Sequence, residues 1–220
     1  MNYELSPAHM KGDTVLKKGQ AEKVPVKEPT AQELENRYRQ LTIKDDFMFG
    51  KIMQNESNCI EMLRRLTGNH IKHVKSVTSQ KSIRVVSDAK GVRYDVYVED
   101  NVANIYDAEM QQKNEPGSGV LPKRARYYQG MMDLNVLNIG EKYNQLTNSY
   151  VIFICTYDLF GQGLCCYEFE NICKDNTELS LNDGRKILIF NTKGTVVNVS
   201  EEVFNFLRFI SKTYSICWRK

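Results

Sequence analysis

Long apolar runs, a tryptophan-rich core and paired metal-binding cysteines are all missing from this 220-residue chain. It has a single Trp, three His and five Pro. No apolar stretch reaches membrane-spanning length, and "MNYELSPAHMKGD" lacks the apolar centre of a signal peptide, so a cytoplasmic protein that does not enter the membrane is expected. None of the six cysteines (Cys59, Cys155, Cys165, Cys166, Cys173, Cys217) forms a CxxC pair. They are expected to be reduced, with Cys155 in "YVIFICTY" a core residue. The "HIKH" spacing of His70 and His73 has no second ligand pair to make a zinc site. Glycine patterns of the P-loop or Rossmann kind are absent, as are internal repeats. Charge of one sign does not dominate either. A net charge of +3 is compatible with nucleic acid without requiring it.

What is present suits one domain with an appended arm. The chain is 41% hydrophobic and 26% charged. Residues 1–32 hold three of the five prolines, mix Lys with Glu and lack periodicity, which predicts a disordered arm before a domain at 33–220. "TAQELENRYRQL" predicts a short helix with Thr30 and Glu33 as a capping box. "TIKDDFMFGKIMQNESNCIEMLRRLTG" predicts helical structure closed at "TGNH", with Asp45 and Asp46 placed to cap it. "HIKHVKSVTSQKSIRVV" reads as a strand leading into a three-stranded antiparallel meander over 71–111. After the loop "KNEPGSGVLP", Pro122 opens a helix. One helix face carries Ala125, Tyr128, Met131 and Met132, and another carries Arg126, Gln129 and Asp133. "SYVIFICTYDLF" predicts a strand buried on both sides. The expected fold is an α/β core of order α-β-β-β-α-β, a mixed sheet flanked by helices. "LCCYEFENIC", "RKILIFNTKG" and the helix "EEVFNFLRFI" are expected to decorate its far side.

Chemistry concentrates in "RYDVYVEDNVANIYDAEMQQ", residues 93–112. Two alternating runs flank a turn cluster, the pattern of a β-hairpin. An odd-length loop centred near Val102 sets Asp95 opposite Glu109, and Gln111 follows on the same face. Two carboxylates on adjacent strands repel unless a cation lies between them, and Mg²⁺ or Mn²⁺ suits convergent oxygen ligands. A solvated sheet face is the other reading of this alternation, and the hairpin alone does not decide between them.

"DDFMFGKIM", "YDVYVEDN…YDAEMQ", "KRARYYQGMMD" and "GEKYNQLTNSYVIFICTYDLF" occur in an order that resembles the PD-(D/E)XK nuclease family transposases, the Rpn-type recombination-promoting nucleases. The resemblance spans about residues 41–210. It implies a restriction-endonuclease-like fold and Mg²⁺- or Mn²⁺-dependent cleavage of DNA in recombination or transposition. Asp95 and Glu109 would hold the ion, with the Met110 carbonyl as a further ligand. Gln111 would stand where many such nucleases carry a lysine, keeping its hydrogen bond to the attacking water but not its charge. Arg126 and Gln129 would lie near the site, Arg126 against the scissile phosphate. Lys123 and Arg124 would bind DNA beside them, and Asp46 would be an additional acid. Cutting both strands calls for two sites and hence a homodimer. Relatives usually continue into a further helical region, so the resemblance implies a shortened C-terminus. That, and the missing lysine, leave a non-cleaving DNA-binding member as one alternative. A non-catalytic interaction module that uses its sheet for partner contact is the other.

Overall fold

The structure is a computed structural model that describes residues 30–83, 90–113 and 119–212. Three helices come first: α1 (Ala31–Gln40), α2 (Asp46–Met53) and α3 (Glu56–Thr67). The capping box at α1 forms as expected. Thr30 N donates to Glu33 Oε2 at 2.7 Å, and Glu33 N donates to Thr30 Oγ1 at 3.3 Å. Residues 30–32 thus cap and begin a helix, and the rest of the expected arm lies outside the described residues. Asn55 caps α3 by accepting from Asn58 N, and Gly68, at φ 70°, ends it in the left-handed conformation.

The meander is β1 (Val74–Ile83), β2 (Val92–Asp100) and β3 (Ile105–Gln111), antiparallel throughout. "HIKH" is a connector before β1, with both histidines exposed. Asp100 shapes the β2–β3 turn. Its carboxylate accepts from the amides of Val102 and Asn104 and from the Tyr106 hydroxyl. Helix α4 (Val120–Val136) starts at Val120, two residues before Pro122, which sits in its first turn.

Strands β4 (Ser149–Cys155), β5 (Cys166–Phe169) and β8 (Arg185–Asn191) complete a six-stranded mixed sheet of order β1-β2-β3-β4-β8-β5. β3, β4 and β8 are parallel, and β5 returns antiparallel at the edge. The short hairpin β6 (Ile172–Cys173) and β7 (Asn176–Ser180) stands apart from this sheet. The expectation that "RKILIFNTKG" lies outside the core is corrected, because β8 pairs directly with β4. Its Leu188, Ile189 and Phe190 are buried, so alternate residues feed both layers.

Two apolar layers sandwich the sheet. On one side α2, α3 and α5 (Glu201–Lys212) pack Phe49, Leu63, Leu207 and Ile210 against Val96, Ala108, Ile152 and Phe190. On the other, Ala125, Tyr128, Met131 and Met132 of α4 pack against Tyr97, Val151, Phe153 and Ile189. All seven residues of β4 are buried, as its unbroken apolar run predicts. Among the described residues no helix is long and apolar enough to cross a membrane.

Candidate active site

The hairpin register is the one expected. Val96 pairs with Ala108 and Tyr97 with Asp107, and one further step in this register leads from Val96 to Asp95 and from Ala108 to Glu109. Regular pairing between β2 and β3 stops at Val96. There the side-chain alternation also breaks, because Tyr94 and Tyr97 both pack in the α4 layer while Val96 and Val98 face the other. Across β1, Gln80 takes the unusual φ of 56° and donates from Nε2 to Asp95 Oδ1 at 3.4 Å. The strands therefore separate at Asp95, and a cleft of about 980 Å³ opens at the C-terminal ends of β3 and β4. This is where open α/β sheets present their sites.

Asp46 from α2, Asp95, Glu109, Gln111 and Arg124 all line this cleft. Glu109 is 3% exposed and Asp95 7%. Glu109 Oε2 accepts from Arg124 Nη2 at 2.9 Å and from Gln111 Nε2 at 3.2 Å. Its other oxygen, Oε1, is buried without a hydrogen-bond partner. Arg124 is held over the Phe153 and Tyr128 rings, 5.0 and 5.6 Å from their centroids.

Burial, reinforced by the charge of Asp46, pushes the Asp95 carboxyl up to about 6, against the pull of Gln80, the Met110 amide and Arg124. Burial pushes Glu109 up to about 8; Arg124 opposes this and Asp95 adds to it. Such shifts mark carboxylates gathered in a buried place, where burial outweighs the cation beside them.

Asp107 completes the acidic set, and the sequence reading does not single it out. It is fully buried, and neither carboxylate oxygen has a partner. Burial, then the charges of Glu109 and Asp95, raise its carboxyl well above the usual range. The signal was available, since Asp107, Glu109 and Gln111 share one alternation in "YDAEMQ". Asp107 is not part of the cleft lining, whereas Arg93 and Lys113 line it unforeseen. Among the described residues neither forms an ion pair.

Helix α4 places the four expected DNA-binding residues in different surroundings. Arg124 reaches the cleft, but Lys123 and Arg126 are exposed outside its lining. Two residues turn a helix by about 200°, so Arg124 and Arg126 point to opposite sides. Gln129 is 4% exposed and braces the sheet, donating to the carbonyls of Lys186 at 3.1 Å and Ser149 at 3.5 Å. Its side-chain amide is thereby committed to the sheet. Asp45, not Asp46, takes the N-cap position of α2, and its carboxylate turns back to Thr42 instead of capping the helix amides.

The donor set fits a hard divalent cation. Asp95 and Glu109 offer carboxylate oxygens, and Oε1 of Glu109 is a buried acceptor without a hydrogen-bond partner, while Arg124 pairs with the other oxygen. Among the described residues no three His, Cys, Asp or Glu side chains cluster closely enough to enclose a metal. Further ligands would have to come from main chain, water or substrate, as is usual for Mg²⁺.

A mixed sheet with an acid-bearing hairpin at its centre, flanked by a helix whose arginine reaches those acids, is a restriction-endonuclease-like arrangement. The family model for PD-(D/E)XK nuclease family transposases matches residues 43–210, and the chain belongs to that family. Neither a curated protein nor a solved structure gives a match.

Proposed function

We propose that this protein is a divalent-metal-dependent DNA endonuclease that hydrolyses phosphodiester bonds in recombination or transposition. The observation that carries this reading is Glu109, with one oxygen fixed by Arg124 and Gln111 and the other buried and unpartnered, opposite Asp95. Asp95 and Glu109 would hold Mg²⁺ or Mn²⁺. When bound, such an ion supplies activated water near neutral pH and positive charge against the developing phosphorane. Arg124 fixes the Glu109 carboxylate and contributes the positive charge that Gln111 lacks. Gln111 supports Glu109 through its amide. Arg93 and Lys113, which line the same cleft, bind phosphates of the substrate backbone.

Nicking of supercoiled plasmid in Mg²⁺, Mn²⁺ or EDTA tests this. Wild type is expected to cut only with a divalent ion, and Asp95→Ala not at all. Equal cutting by Asp95→Ala would refute the assignment. One observation favours a second reading, a DNA-binding member that does not cleave: the Arg124–Glu109 ion pair already gives Glu109 a cation. In that case wild type would bind DNA and leave the plasmid intact in either metal.

A further inference from the structure

One wall of the cleft takes no part in holding the acids. It is the loop 156–163 that follows β4, and Tyr157, Asp158, Leu159, Phe160 and Gly161 all line the cleft. The loop has no regular secondary structure, yet it is tightly fixed. Asp158 Oδ1 accepts from Phe160 N at 3.2 Å, Gly161 N at 3.0 Å and the Tyr167 hydroxyl at 2.7 Å. Its Oδ2 accepts from Gly163 N at 2.7 Å. The Gly163 carbonyl in turn accepts from Thr195 N and Val196 N, both at 2.9 Å. This frame holds Phe160 in a ring cluster, 4.8 Å from Tyr167 and 5.4 Å from Phe169 between centroids. Tyr167 is buried, but Phe160 keeps 37% of its surface exposed.

A single exposed apolar side chain needs no explanation. An aromatic ring on a fixed loop, lining a cleft whose other walls carry Arg93, Lys113 and Arg124, has a specific chemical complement. Cations that track phosphates, combined with a ring that offers a π-face, are the two elements of single-stranded nucleic-acid binding. In a duplex the base faces are covered by their neighbours. Only an unpaired nucleotide can set its base on a ring beside the cleft floor.

We propose that Phe160 is a nucleobase-stacking platform, and that the cleft takes single-stranded DNA in preference to duplex. This rests on the DNA reading above and names its substrate class. Arg93 and Lys113, which form no ion pair among the described residues, favour DNA over a second copy of the chain as the occupant, with the lining acids Asp46, Asp95 and Glu109 left to face a cation.

The test measures binding of fluorescent oligothymidylate and of a blunt duplex to the full chain in EDTA, where no cleavage occurs. Phe160→Ala, Phe160→Leu and Phe160→Trp are compared with wild type, and sedimentation records the oligomeric state of each. Loss of one stacked base is expected to weaken oligothymidylate binding about 5- to 100-fold in Phe160→Ala. Duplex binding should hold within about twofold, the scatter expected of a substitution that touches no phosphate contact. Phe160→Leu should match Phe160→Ala, because it restores apolar volume without a ring, and Phe160→Trp should bind as tightly as wild type or more so. Unchanged oligothymidylate binding in Phe160→Ala overturns the proposal. So does an equal loss on both DNAs, or a change in oligomeric state that would make Phe160 part of a protein interface. If wild type binds neither DNA, the DNA reading itself fails and the platform with it.

Discussion

Replacing Glu109 with Gln should stabilise the metal-free protein at alkaline pH. The Glu109 carboxyl lies at about 8 in the fold against an ordinary 4.5. An acid raised in this way binds its proton more tightly folded than unfolded. Its favourable contribution is complete below about pH 4.5 and is lost as pH rises through about 8. At pH 8 and above the wild type carries a buried carboxylate with Oε1 unpartnered, which costs on the order of 1–3 kcal/mol. The Arg124 ion pair offsets part of this. The Glu109→Gln side chain would keep an acceptor for Arg124 and carry no charge. The net gain at alkaline pH is on the order of 1–2 kcal/mol, about 2–8 °C in Tm for a domain of this size. Thermal melts in EDTA at pH 5 and pH 8.5 would measure it. Asp107 and Asp95 add slopes of the same sign, so the informative quantity is the difference between variant and wild type at each pH. That difference should be near zero at pH 5 and positive at pH 8.5. A variant that is less stable at pH 8.5, or equally shifted at both values, would refute the reasoning.

Three other outcomes follow from the geometry. Gln129→Leu should lose two hydrogen bonds to the carbonyls of Ser149 and Lys186 and lower stability by about 1–3 kcal/mol, seen in urea unfolding, while DNA affinity measured below the transition is unchanged. Neutralising Arg93 and Lys113 together should reduce the slope of log affinity against log salt by about two, whereas neutralising Lys123 and Arg126 should leave it nearly unaltered. Gln111→Lys should preserve or raise single-turnover cleavage, since it keeps a donor beside Glu109 and adds charge; Gln111→Ala should slow it by about 10- to 100-fold.

The hairpin was legible because a period of two is a strong signal and the turn cluster at residues 101–104 fixes its centre. Register then followed by counting, and Asp95 and Glu109 fell opposite each other. Strand β4 was legible for a similar reason, since seven consecutive buried residues leave no polar face. In helix α4 the apolar residues mark their face in the sequence, and the polar ones do not. Gln129 looks like a surface residue in sequence, but it is buried because sheet carbonyls accept its amide, and those come from strands 20 and 57 residues away. Lys123, Arg124, Arg126 and Gln129 stand together as expected DNA contacts because the sequence does not carry the helix rotation relative to the sheet, which the core packing of Ala125 and Tyr128 sets. Asp107 was passed over because a fully buried, unpartnered acid is improbable on composition alone. Its significance appears only beside Glu109. β8 was placed outside the core because β5, β6 and β7 intervene in the chain between it and its sheet neighbour β4.

That Asp95 and Glu109 together hold a divalent cation is the central claim. Calorimetric titration of Mn²⁺ into the metal-free protein, at a pH above 8 where both acids are ionised, tests it most directly. Wild type should bind the ion with release of heat that saturates, while Asp95→Asn and Glu109→Gln, each shown to be folded by circular dichroism, should lose that binding. Undiminished Mn²⁺ binding by either folded variant would contradict the claim.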